Sequence, residues 1–448
     1  MGVRLAKEPQ PAAAGEAGTG RAPLGAAADS GPQAASVPTP IAAAMRTRRV
    51  LVVVGAGGVG KTTLSAALGL AASTAGKRAL VLTVDPARRL ANALGLQAFD
   101  QHTQVIPCEA LRAAGIDAQV GVEVAMLDIQ STFDRVVTRH VNNAAAARAI
   151  MDNPFYRTAS TALAGSQEYM AIERLAEVVA SGDHDLIVLD TPPSAHALDF
   201  LEAPQRLIDL FENRAFRALL RPFAGQGTTS GMFARGSLVM RGVGRFTSAD
   251  SFHDLLGFFG ALSGGFDSWV ARGREVLALL RSEGTAFLVV SGTDDASRDE
   301  AQYLLDRLRQ DGLAVEAWLV NRVATAHVGV LGEAEALADH IGTALQAQTP
   351  AQAVEGAASH ATAGDAGVAP AVDVDRRAER LARAALAMAR IADRDRTLLA
   401  ALRQRRARDL PLIAVSRREV EPADLGELGQ LAAELATTAA LSPLEVHR

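Results

Sequence analysis

The segment VLVVVGAGGVGKTTL, residues 50–64, decides the fold. Val50 to Val54 form a run of apolar, mostly β-branched residues, the pattern of a strand buried on both faces. The run leads directly into GAGGVGKT, Gly55 to Thr62, which matches G-x-x-x-x-G-K-[ST] at the strand-to-helix junction that a phosphate-binding loop requires. Gly55, Gly57, Gly58 and Gly60, with Val59 among them, let the backbone turn its N–H groups inward around a phosphate chain. A helix opening near Lys61 adds its positive N-terminus. Lys61 is then expected to reach the β and γ phosphates of a nucleotide, the Thr62 hydroxyl to ligate Mg²⁺, and Thr63 to join the loop's contacts. Lysine usage supports the reading: of 45 lysines and arginines only Lys7, Lys61 and Lys77 are lysine, so a compact ammonium is kept where its shape can matter.

The rest of the composition bounds the problem. A chain of 448 residues, 49% hydrophobic and 21% charged, can bury a large core, and its length suggests two or three structural units. Net charge is −5 and no basic block alternates with aromatic residues, which disfavours nucleic acid as a partner. The longest apolar runs are strand-length, so the chain is not expected to be transmembrane. Cys108 is the single cysteine; it permits neither an intramolecular disulfide nor a multi-cysteine metal site, and it fits a reducing cytoplasm. Residues 1–46 are rich in Ala, Pro and Gly without periodicity or a signal-peptide apolar segment and are expected to be a disordered tail; Met45 just before the first strand is where a shorter chain could begin.

Beyond the loop, strand and helix signals alternate. Strands are expected at Ala79 to Val84, Leu186 to Leu189, Ala286 to Val290, Val315 to Val320 and Leu410 to Val415, with helical patterns between them. This is the grammar of an α/β fold with a doubly wound, mainly parallel sheet, in which ligands bind at the carboxyl ends of the strands. Two carboxylates stand there. Asp85, in TVDPARRL, could orient or deprotonate the water that attacks a γ-phosphate, although Asp-Pro is also a common turn starter. Asp190, closing DLIVLD, has the position of a carboxylate that holds the Mg²⁺ ligand shell; the plainer alternative is a helix cap. The following Thr191 to His196 could respond to a γ-phosphate as a switch.

Taken in order, GAGGVGKTT, TVDPARRL, DTPPSAHALDFL and LVNRV resemble the ArsA family of anion-pump and tail-anchored-protein targeting ATPases, within the deviant-Walker group of P-loop NTPases, over about residues 47–440. The resemblance implies ATP and Mg²⁺ bound across a dimer, a catalytic switch I aspartate at Asp85, a switch II beginning at Asp190, and adenine recognition by Asn321 with its neighbour Arg322 in LVNRV. An Asn amide can pair with the N6 and N7 edge of adenine. It also implies a division into an N-terminal half (47–210), a helical, Phe-rich subdomain (211–283) and a C-terminal half (284–440) interrupted by a low-complexity insertion at about 346–372. The departures are specific. The family's K-G-G-x-G-K-[ST] lysine is Ala56 here, and its switch glycine is Ala195 in DTPPSAH, which makes a stiffer hinge. Neither the pumps' three-cysteine metalloid site nor the targeting factors' C-x-x-C zinc clasp can be built from Cys108.

Residues 211–266 hold nine of the 14 phenylalanines. They could line a groove for an apolar client helix or pack a helical subdomain and a dimer surface. The expected function is a Mg²⁺-dependent ATP-hydrolysing dimeric switch acting on a hydrophobic client or membrane protein, as a homodimer or with an ArsA-like homologue. The alternatives are a slow regulatory subunit that pairs with an active homologue, which Ala56 favours, and a subunit of an anion pump that lacks the cysteine site.

Overall fold

The computed structural model describes residues 39–84, 90–91, 94, 103–141, 144–153, 156, 166–192, 197–220, 258–259, 262–324, 343, 374–406, 410–418 and 424–438. Among them eight strands make one sheet: β1 (Val50–Gly55), β2 (Ala79–Thr83), β3 (Gln104–Ile106), β4 (Val122–Met126), β5 (Leu186–Asp190), β6 (Thr285–Ser291), β7 (Val315–Val323) and β8 (Leu412–Ser416). Their order is β3-β4-β2-β5-β1-β6-β7-β8, and every pairing is parallel except β3 with β4. The helices are α1 (Pro40–Thr47), α2 (Lys61–Thr74), α3 (Cys108–Ala113), α4 (Ile129–His140), α5 (Ala144–Met151), α6 (Ser166–Ser181), α7 (Ala197–Glu212), α8 (Arg214–Leu220), α9 (Phe266–Leu280), α10 (Asp295–Gln310), α11 (Val374–Arg406) and α12 (Leu425–Thr437).

The near-continuous apolar strands follow from coverage on both faces. Val50, Val52 and Val54 of β1 enter one core and Leu51 and Val53 the other; β5 and β6 repeat the alternation with Ile187, Leu189, Phe287 and Val289 against Leu186, Val188, Ala286 and Leu288. Helices α4 to α7, α9 and α10 cover the first core, and α1, α2, α3 and α12 the second. Because β1 lies between β5 and β6, chain direction across the sheet reverses there, and the crevice that receives ligands in such sheets opens beside the end of β1.

The tail reading is corrected at its end. Residues 40–47 are helix α1, with Ile41, Ala44 and Met45 buried in the second core. Pro40 starts the helix, the Thr39 hydroxyl accepts from the Ala42 N–H and donates to the Ala436 carbonyl, and the Lys77 ammonium donates to the carbonyls of Met45 and Arg46 at the other end. Replacing Ile41 by Ala is therefore expected to cost about 2–5 kcal/mol of unfolding free energy, read as a lower denaturant midpoint; an unchanged midpoint would show that α1 does not contribute to the core.

In the first core, Glu173 of α6, fully buried, accepts from Arg139 of α4 at 2.8 Å and Arg272 of α9 at 2.9 Å. Burial pushes the Glu173 carboxyl up while both guanidiniums oppose that shift, and the shared carboxylate ties three helices together. Five of the nine phenylalanines in residues 211–266 face inward here: Phe211, Phe258 and Phe266 are buried, and Phe216 and Phe259 pack against them. The Phe211 and Phe266 rings stack at 4.4 Å. Helix α9 thus shares the core of the sheet's own layer. The other four phenylalanines, and the insertion at 346–372, lie outside the described residues.

Candidate nucleotide site

The phosphate loop forms where β1 ends. A Cβ at Gly55 would meet the Val290 carbonyl oxygen at 2.1 Å, so only glycine lets β1 lie this close to β6 as the chain turns. Gly60 caps α2 with a left-handed φ of 97° and, being glycine, brings no side chain to cap the helix. The start of a helix, with its N–H groups and positive dipole end, is where an anion is received. Lys61, 7% exposed, donates from Nζ to the carbonyls of Gly55 at 2.8 Å and Ala56 at 2.9 Å, so its ammonium is held inside the curl of the loop.

Asp190 reaches the same place from β5. Registers Val53 to Asp190 and Thr83 to Asp190 set its side chain between β1 and β2. Its Oδ2 accepts from the Thr62 hydroxyl at 2.8 Å and from the Thr83 hydroxyl at 2.8 Å. A hydroxyl that donates to a carboxylate keeps lone pairs for a cation, and carboxylate plus hydroxyl is the hard-oxygen donor set that suits Mg²⁺ completed by phosphate oxygens and water. Among the described residues no three His, Cys, Asp or Glu side chains gather as a metal cage. Thr191, directly after Asp190, donates from its hydroxyl to the Val53 carbonyl at 2.7 Å.

A cleft of about 670 Å³ extends from the loop across the ends of β6, β7 and β8. Ala56, Gly57, Gly58, Val59, Gly60 and Thr63 line its loop end; Asp294 just before α10, Glu300 of α10, Asn321 and Arg322 from β7, and Arg417 and Arg418 after β8 line the rest. Asp294 caps α10, and hydrogen bonds from the Ser297 hydroxyl and N–H hold its carboxyl below the usual range. Asn321 points toward the loop: its Nδ2 donates to the Val59 carbonyl at 2.7 Å and its Oδ1 accepts from the Arg322 N–H at 2.9 Å.

The structure thus gathers Gly55, Gly57, Gly58, Val59, Gly60, Lys61, Thr62, Thr63, Asp190, Asn321 and Arg322 around one crevice. Asp85, Arg88 and Arg89, and residues 193–196 of the switch, lie outside the described residues. Thr83 was missed, although its place two residues before Asp85 at the end of an apolar strand is readable; Asp294, Arg417 and Arg418 carry no local motif that could have flagged them.

Comparison with known proteins agrees with this architecture. Residues 48–241 match the family described as anion-transporting ATPase, ArsA type. An uncharacterised protein of Streptomyces coelicolor is 35% identical over 174 residues, covering 39% of this chain and 40% of its own. A Prosthecochloris vibrioformis protein provisionally named an arsenical pump-driving ATPase is 31% identical over 159 residues, 36% of each chain. The ATPase GET3 of Malassezia globosa is 26% identical over 270 residues, covering 60% of this chain and 71% of its own. The match with the first two spans well under half of their length. With the phosphate loop, the Asp190 cluster and the mainly parallel sheet, it shows that residues 48–241 are similar to an ArsA-type ATPase domain.

Proposed function

We propose that the chain is a Mg²⁺-dependent ATP-binding and ATP-hydrolysing switch that works as a dimer, with a second copy or an ArsA-like homologue, and couples its cycle to a hydrophobic protein client or a membrane-associated partner. The supporting observation is the arrangement of Lys61, Thr62 and Asp190: an ammonium inside the loop, with a hydroxyl and a carboxylate joined beneath it. Lys61 would exchange its two carbonyl partners for phosphate oxygens. Thr62 and Asp190 would hold Mg²⁺, which supplies charge neutralisation along the phosphate chain when bound. Asp85 is assigned to the attacking water by its resemblance to the family's switch I, and Thr191 ties the start of switch II to β1, so that a response to the γ-phosphate is passed to the residues that follow. Asn321 and Arg322 take the base side. No helix among the described residues is long and apolar enough to cross a membrane, and any membrane contact is assigned to the partner. The cytoplasm, where a lone thiol stays reduced, is the proposed compartment.

Calorimetry with MgATP and a phosphate-release assay on the purified chain test the reading; absence of binding at millimolar nucleotide would overturn it. A second reading, a slow subunit activated by a paired homologue, is favoured by Ala56, which gives the loop no lysine to offer a partner.

Metalloid stimulation is not expected. Cys108 hydrogen-bonds the Glu109 carboxylate at 3.3 Å, and a dimer would hold only two thiols, too few for a clustered soft-ligand site in each subunit. Arsenite and antimonite should leave turnover unchanged. A several-fold rise with arsenite that disappears in Cys108→Ser would reverse this conclusion.

A further inference from the structure

The end of β7 departs from regular strand geometry beside the phosphate loop. Val320 pairs with Ala414 and Val323 with Ser416, so Asn321 and Arg322 together stand opposite one residue of β8. This is a bulge of one extra residue. Arg322 has φ 62° and is the only non-glycine residue with positive φ among the described residues. Left-handed backbone at an arginine is disfavoured and persists where neighbouring contacts enforce it.

Three contacts do so here. Asn321 Oδ1 accepts from the Arg322 N–H at 2.9 Å. Beyond the bulge, the Arg417 N–H donates to the Val323 carbonyl at 2.8 Å. The Ala324 N–H then donates at 2.9 Å to the carboxylate of Asp395, in the middle of the 33-residue helix α11. Asp395 is 2% exposed. Its only hydrogen bond among the described residues is this one, and burying a carboxylate for a single backbone donor is a poor way to gain stability alone. The bond is charge-assisted and fixes where the strand ends. With the bulge held, Asn321 Nδ2 reaches the Val59 carbonyl at 2.7 Å, and Gly60, whose Cβ would lie 2.4 Å from that nitrogen, leaves room for it.

We propose that Asp395 and Asn321 are positioning residues for the phosphate loop: Asp395, by holding the Ala324 N–H, fixes the bulge that delivers the Asn321 amide to the Val59 carbonyl and so sets the loop before any nucleotide arrives. The inference rests on the nucleotide reading above and goes beyond base recognition. Asn321 keeps a second N–H and a second lone pair, so bracing the loop does not prevent it from touching a base.

Tripolyphosphate, which has no base, separates the two roles. Its binding and that of MgATP are measured by calorimetry on the full chain and on Asn321→Ala, Asp395→Ala, Asp395→Asn and the Asn321→Ala/Asp395→Ala double variant. Each alanine variant is expected to weaken tripolyphosphate binding about tenfold, roughly what one lost hydrogen bond produces. The double variant should lose no more than about the larger single loss, because both act on one link. Asp395→Asn retains an acceptor oxygen and should stay within about threefold of wild type. If Asp395→Ala does not fold, Asp395→Leu, which keeps the branched heavy-atom shape and removes the acceptor, replaces it. A loss of MgATP affinity in Asn321→Ala with tripolyphosphate unchanged would reduce Asn321 to a base contact and overturn the inference. So would a lower melting temperature in Asp395→Ala with unaltered phosphate affinity, additive tenfold losses in the double variant, or a wild type that binds MgATP but not tripolyphosphate. A wild type that binds neither would overturn the nucleotide reading as well.

Discussion

Lys61→Ala is expected to abolish measurable ATP turnover, a loss of at least about 10²–10³-fold in kcat/KM, in a protein that still folds. Among the described residues the Lys61 ammonium is the one held within the loop, bonded to the Gly55 and Ala56 carbonyls. Lys77 is committed to the C-terminal carbonyls of α1. Asp190→Asn should act differently. The amide oxygen can still accept from the Thr62 and Thr83 hydroxyls, so the strand ends stay in place, while loss of the charge weakens Mg²⁺ and shifts half-maximal turnover to higher magnesium. Asp85→Asn should lower turnover and leave ATP affinity nearly unchanged, as expected of a group that serves the attacking water. Phosphate release measured against both ATP and magnesium concentration distinguishes the three patterns. A Lys61→Ala protein that turns over at the wild-type rate would remove the loop from catalysis altogether.

The residues that could be read from the sequence are those whose chemistry is local. A phosphate loop is eight consecutive residues, and Asp190 closes an apolar strand, so both stand out without knowledge of the fold. The central strands were legible because burial on both faces forces continuous apolar runs. Strands β3 and β4 were not. β4 carries Glu123 as its second residue, and β3 is three residues long at the sheet edge with Val105 exposed, so neither shows the apolar run of a buried strand. Helix α1 was hidden by composition: Ile41, Ala44 and Met45 form its buried face, but the alanines around them continue the low-complexity texture of the preceding residues. The Asn321 brace depends on a bulge and on Asp395, 74 residues further along the numbering from Asn321 and on another element, and no spacing rule connects such positions.

The isolated wild type should turn over slowly, because Ala56 stands where the family pattern has the lysine that reaches a phosphate of the other subunit. A cation delivered to a transferring phosphate in trans is worth roughly 10³–10⁵ in rate, about 4–7 kcal/mol of barrier. In this structure Ala56 is 5% exposed, lines the cleft and lends only its carbonyl, which Lys61 occupies. Two sources could replace the lysine. Arg88 and Arg89, close after Asp85, have the length and permanent charge but a forked guanidinium that needs different geometry. The arginines of the described cleft are poorer candidates: Arg418 is engaged with Glu434 and Gln430, and Arg322 and Arg417 stand at β7 and β8, two and three strands away from β1. The other source is a homologue with an intact lysine, paired across a dimer. Turnover of the purified chain separates them. Arg88→Ala or Arg89→Ala should cost at least about tenfold if an arginine of the same chain substitutes, whereas adding the homologue should raise a low basal rate if the cation comes from a partner. Ala56→Lys, which restores the family residue, should raise the rate of a homodimer by at least about tenfold if the cation otherwise comes only from a partner, and by little if an arginine of the same chain already supplies it. A fast wild type that neither arginine variant slows and Ala56→Lys does not accelerate would mean that this loop completes its chemistry without a second cation.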